Sequence, residues 1–153
     1  MRLENKTALI TGASRNIGAE IARTFAREGA DLILNTRQSA QELESVAAEC
    51  RELGVKTHTV IGDVSDPDRV AAMVAEGMDA VGTGDVLVSN VAVRPHKPLL
   101  EVSVEEWQDV IATNLHASFY LMRAVLPGML EQGSGSIIAL GGQAAITGRP
   151  ETA

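Results

Sequence analysis

The residues with the clearest chemical use come early in the chain, in Ile10-Thr11-Gly12-Ala13-Ser14-Arg15-Asn16-Ile17-Gly18. An apolar run, Thr7-Ala8-Leu9-Ile10, precedes them, and Ile17, Ile21 and Phe25 then recur every fourth residue. The stretch therefore reads as strand, tight turn and helix. Gly12 can turn the chain without a Cβ clash, and Gly18 lets the helix start lie close to a strand or a ligand. The backbone N–H groups of such a helix start, at the positive end of its dipole, attract a diphosphate. The chemistry expected here is the holding of a dinucleotide; the plainer alternative is a glycine turn that only joins a strand to a helix.

A second group of polar residues stands where the next strand ends. Asp31-Leu32-Ile33-Leu34-Asn35 is a short β-type run, and Thr36-Arg37-Gln38 follows it where a dinucleotide fold places the side chains that read the adenosine ribose. An acid there would accept hydrogen bonds from both ribose hydroxyls and repel an added phosphate. None is present. Arg37, together with Arg15 in the glycine turn, offers two guanidinium groups to a 2′-phosphate, which favours NADP(H) over NAD(H). Read blandly, both arginines are surface charges.

These features resemble the short-chain dehydrogenase/reductase family, with its bacterial 3-oxoacyl-carrier-protein reductase and sugar-alcohol dehydrogenase types as the nearest likenesses, between which the fold does not choose. The first turn is similar to that family's Thr-Gly-x-x-x-Gly-x-Gly, with Asn16 in place of the middle glycine; Asn tolerates a left-handed backbone. Ser14, Arg15, Asn16 and Ile17 thereby join Gly12 and Gly18 as cofactor-binding candidates, and the ribose-selecting position falls on Thr36, followed by Arg37. Asp63-Val64, after a strand at Thr57–Ile61, resembles the Asp-Val pair whose carboxylate and following amide hold the adenine; a solvated turn acid is the alternative. Ser89-Asn90-Val91-Ala92 stands where the family has Asn-Asn-Ala-Gly, so Asn90, Val91 and Ala92 are expected beside the nicotinamide ribose. Asn114-Leu115 is similar to a family helix in which the Asn distorts the ladder and holds a water feeding a proton relay. Asn114 is accordingly the one catalytic candidate. A mid-helix Asn is otherwise a poor choice. His116 is assigned to another face of that helix, and Tyr120 to core or subunit contact, because Ala124 stands where a partner lysine would be needed.

The remaining elements position these groups. Ser39-Ala40-Gln41-Glu42 and Ser103-Val104-Glu105-Glu106 have capping-box spacing, and Asp66-Pro67 supplies an N-cap followed by a first-turn proline. Cys50 falls on an apolar helix face and reads as packing. Val70, Met73, Val74 and Gly77 mark the inner face of a third helix, and Trp107, Val110 and Ile111 the apolar face of a fourth. Asp85-Val86-Leu87-Val88 is the fourth strand, Ser136–Leu140 the fifth, and Pro127 is expected to bend the helix between them. Strands alternating with helices predict an α/β, Rossmann-type, doubly wound parallel sheet in a three-layer sandwich. The order is 3-2-1-4-5, with the ligand at the switch between strands 1 and 4.

Composition narrows the classes. With 153 residues, one dinucleotide-binding Rossmann domain over 1–153 is expected, apparently truncated before the family's Tyr-x-x-x-Lys segment. Gly142 stands at the family's catalytic serine, and the chain runs through Gly148-Arg149-Pro150 to Ala153. The parent protein is expected to move a hydride between NADP(H) and a small-molecule carbonyl or alcohol. The 153 residues alone are expected to be inactive. The rival is a non-catalytic dinucleotide-binding or scaffolding protein of the same fold. A net charge of −7 argues against a nucleic-acid partner. No apolar run reaches membrane-spanning length, no metal site is expected, and the lone cysteine and charged N-terminus predict a cytoplasmic protein. The family resemblance implies a homo-oligomer, dimer or tetramer, at full length.

Overall fold

The structure, a computed structural model, describes residues 1–147. Gly148-Arg149-Pro150 and Ala153 lie outside the described residues. Five strands form one parallel sheet, β1 (Thr7–Ile10), β2 (Asp31–Thr36), β3 (Thr57–Ile61), β4 (Val86–Ser89) and β5 (Ser136–Ala139). Their order is β3-β2-β1-β4-β5, as the alternation of strand and helix patterns predicts. The chain reverses direction of winding between β1 and β4, so the C-terminal ends of those two strands diverge into a crevice.

Alternation along β1 and β2 sorts the sheet into two apolar layers. Ala8, Ile10, Leu32 and Leu34 face helices α1 (Asn16–Arg27) and α2 (Ala40–Glu52). Leu9, Ile33, Val60 and Leu87 face α3 (Pro67–Val81) and α5 (Ala117–Glu131). Two helical layers thus sandwich the sheet. Val70, Met73, Val74 and Gly77 are the buried face of α3, and Asp66 caps it by accepting from the amides of Asp68 and Arg69. Cys50 is buried among apolar residues, and burial pushes its thiol up, as suits a packing residue. α5 runs through Pro127 to Glu131.

Several sequence expectations need correction. The buried face of α1 is Gly18, Ala19, Ala22 and Ala26, while Ile17 is exposed and Ile21 and Phe25 pack at the margin. A helix lying close on a sheet selects small residues at the line of contact and leaves the large ones to its flanks. Ser39 does not complete a capping box: its ψ of 60° departs from the extended N-cap geometry, and its hydroxyl accepts no cap hydrogen bond. Ser103, with ψ 163°, does complete one, exchanging bonds with Glu106 at the start of α4 (Val104–Ile111). α4 has no fully buried residue: of the expected apolar face, Val110 and Ile111 are half-buried, and Trp107 is 53% exposed among the described residues. β2 extends to Thr36 and β4 starts at Val86; the Asp85 carboxylate, one residue earlier, accepts from Thr7 N and Lys6 Nζ at the foot of β1. β5 is exposed along its length.

A candidate dinucleotide site at the sheet switch point

The crevice between β1 and β4 opens into a cleft of about 430 Å³. Gly12 adopts φ +63° and Asn16 φ +51°, both left-handed. Asn16 therefore takes the backbone conformation for which glycine is usually required, and does so with one of the few side chains that tolerate it. Gly18 is required for a different reason. A Cβ there would stand 2.2 Å from the Gly12 carbonyl oxygen and 2.7 Å from Asn90 Nδ2. Its absence lets the first turn of α1 dock against the glycine turn, with the helix N-terminus at the cleft. Ser14, Arg15, Asn16 and Ile17 line that wall.

Asn90 locks the turn to the end of β4. Its Nδ2 donates to the carbonyls of Thr11 (3.1 Å) and Gly12 (3.2 Å), and its own amide donates to Thr11 Oγ1 (3.0 Å). The turn's shape is thus held by β4 as much as by its own glycines. Val91 and Ala92 continue along the cleft, Val91 in close contact with Gly12.

Thr36 is buried at the cleft wall and donates to Ser14 Oγ (3.3 Å), tying the ribose-side loop to the glycine turn. Arg37 is exposed beside it and pairs with Asp63 across the cleft, Nη1 to Oδ2, at 3.5 Å. Arg15 has no ion-pair partner among the described residues. Asp63 Oδ1 accepts from the Ser65 amide (2.9 Å) and hydroxyl (2.8 Å). Burial alone would raise the Asp63 pKa, but the two Ser65 bonds and the Arg37 charge outweigh it and hold the carboxyl below its ordinary value. Val64 follows at the same wall.

Asn114 sits in a π-helical turn, Ala112–His116, between α4 and α5. The widened ladder expected around it is present. Its side chain is engaged with backbone: Oδ1 accepts from Val93 N and Nδ2 donates to Val93 O, both at 2.8 Å. This double bond pins the loop after β4, whose Val93 also lines the cleft. His116 is exposed, its ring tilted against Tyr120, which packs at the edge of the α3–α5 core. Gly142 is exposed, with no atom of the described residues within 4 Å of where a Cβ would be.

Sequence reasoning missed some participants. Thr11 is buried and donates to Val88 O (3.4 Å) while holding Asn90; a threonine ending an apolar strand was the available signal. Asn35 lines the cleft with its Nδ2 donating to Gly62 O (3.1 Å) and its buried Oδ1 unpartnered within the described residues. Ser89 on β4 and Ser118 on α5 share a hydrogen bond of 3.0 Å behind the crevice. Their pairing was invisible from spacing alone.

A cradle that a Cβ would fill, a helix N-terminus at its edge and a basic rim together suit a phosphorylated dinucleotide. The profile of the short chain dehydrogenase family matches residues 6–153. The chain belongs to that family. Among its curated relatives, the 3-oxoacyl-acyl-carrier-protein reductase FabG of Staphylococcus aureus is 39% identical over 145 residues, covering 95% of this chain and 59% of the reductase. A metagenomic short-chain oxidoreductase solved in complex with NADP superposes with a TM-score of 0.85 at 36% identity, covering 91% of this chain and 62% of that one. A short-chain type dehydrogenase/reductase from Mycobacterium marinum superposes with a TM-score of 0.91 at 31% identity, covering 98% and 61%. The chain thus spans about three-fifths of the length of these proteins. Within the described residues, no helix is long and apolar enough to cross a membrane.

Proposed function

We propose that this short chain dehydrogenase is an oxidoreductase that uses NADP(H) in preference to NAD(H) and acts on a small-molecule carbonyl or alcohol. The observation that carries the cofactor reading is the rim of the cleft, where Thr36 replaces an acid and Arg15 and Arg37 flank it. The NADP bound by the metagenomic relative supports the same reading. Bound nicotinamide would supply the hydride. In this proposal, the chain's own residues hold and orient it. Gly12, Asn16, Ile17 and Gly18 present the backbone of the α1 start to the diphosphate, with Ser14 beside them. Asp63 and the Val64 amide receive the adenine edge. Asn90, Val91 and Ala92 form the wall for the nicotinamide ribose.

Asn114 is proposed as a positioning residue, acting through Val93 to fix the loop at the reacting end. The role of its π turn in proton transfer belongs to the same proposal. Substrate choice and assembly into a dimer or tetramer are proposed for the whole protein; the exposed Trp107, Leu115 and Phe119 on the α4–α5 side support association. A purely scaffolding role is not favoured by the company of dehydrogenases and reductases in which this chain falls.

Calorimetric titration of the protein with NADPH and NADH tests the cofactor reading. NADPH should bind at least about tenfold tighter, the worth of a charge-assisted phosphate contact. The double variant R15A/R37A should remove the difference. Equal binding of the two nucleotides by the unmodified protein would defeat the ribose-pocket assignment.

A further inference from the structure

Arg37 and Asp63 do not stand independently in the cleft. They are paired at 3.5 Å, and both also wall a neighbouring recess lined by Ser65, Arg94 and Asp109. Their ion pair is therefore part of the partition between two cavities. Both Asp63 oxygens are engaged, Oδ1 by Ser65 and Oδ2 by Arg37. Adenine presents an amine donor beside a ring acceptor, and the carboxylate oxygen left by Ser65 for that amine is the one that Arg37 approaches. The Arg37 side chain is 59% exposed, whereas the neighbouring Thr36 and Ser14 hydroxyls are tied to each other. Arg37 is the movable part.

We propose that Arg37 is a latch that changes partner when nucleotide binds. In the free protein it closes on Asp63; a 2′-phosphate, which carries more charge than a carboxylate and accepts a guanidinium fork, draws it away. Asp63 Oδ2 is then released to the adenine amine. Recognition of the phosphate and of the base is thereby coupled, and a nucleotide lacking the phosphate must compete with Arg37 for the same oxygen. NADP(H) preference then has two sources, attraction to the arginines and release of Asp63. The inference rests on the NADP(H) reading above and goes beyond it by making two contacts interdependent. Arg15, unpaired within the described residues, contributes attraction without the coupling.

The test is a ligand cycle on the protein by calorimetry, with four probes: adenosine 5′-monophosphate, adenosine 2′,5′-bisphosphate, and the purine-riboside counterpart of each, which lacks the 6-amino group. Loss of the amine should weaken binding about two- to fivefold more in the 2′-phosphorylated pair than in the other, the range of an exposed ion pair. R37A should make the two losses equal and should tighten adenosine 5′-monophosphate binding, because the competitor for Asp63 Oδ2 is gone; unchanged or weaker binding of that probe would count against the latch. R15A should lower affinity for the bisphosphate while keeping the excess. Equal losses in the unmodified protein, with the 2′-phosphate still adding affinity, would overturn the latch alone. A 2′-phosphate that adds no affinity would overturn both the latch and the NADP(H) reading.

Discussion

Asn16 carries a left-handed backbone at φ 51° where the glycine turn enters α1. Replacing it with glycine relieves that conformation, whereas a β-branched residue cannot adopt it cheaply. N16G should keep the stability of the parent within about 0.5 kcal/mol, and N16V should lose about 1–2 kcal/mol; urea unfolding reads both. Asp63 gives a prediction with a pH sign. Its folded pKa is depressed, so its contribution to stability is present above the unfolded value and is lost as pH falls through the folded one. Because the carboxylate is more than a third exposed, the effect is small. D63N should lower the melting temperature by about a degree or two at neutral pH, and the difference should vanish in acid. Gly12 was legible from its place between a strand and a helix, and Asn16 and Asp63 from their resemblance to the family's turn and Asp-Val pair. The Arg37–Asp63 pair was not, since it joins the loops that follow β2 and β3, which the sheet register, with Thr36 opposite Ile61, brings together.

The π turn is the element that most directly couples structure to the site. It widens the ladder at Ala112–His116 and turns Asn114 toward the loop after β4. N114A removes both partners of the Val93 peptide at once. The Val93 amide should then exchange with solvent about tenfold faster or more, the equivalent of one lost hydrogen bond, and amides in the core of α5 should be unchanged. Unaltered exchange at Val93 would show that the loop holds itself. That Asn114 disturbs its helix was readable from a polar, low-propensity residue in mid-helix. That its partner is Val93 was not, because the loop path from Val91 to Pro98 carries no periodic pattern. The capping boxes make the same point: Ser39 and Ser103 have identical spacing to a glutamate, yet only Ser103 has the extended backbone that lets the box form.

At the scale of the molecule, sheet order follows from alternating elements and right-handed crossovers, and no side-chain detail was needed to predict it. Burial was less legible. α1 looked like a helix led by Ile17, Ile21 and Phe25, but the distance between helix and sheet selects alanine and glycine at the contact. α4 carries Trp107 on a face that the described residues leave exposed. What the whole arrangement does is bring four separate stretches, around Gly12–Gly18, Thr36–Arg37, Asp63–Val64 and Asn90–Val93, to the C-terminal edge of one sheet. The central claim is that this edge binds the dinucleotide. Amide chemical-shift mapping of the isotopically labelled protein, titrated with NADP⁺, tests it most directly. Perturbations concentrated in those four stretches, with the outer faces of α2 and α3 silent, are the predicted result; saturating shifts centred elsewhere, or none, would contradict it.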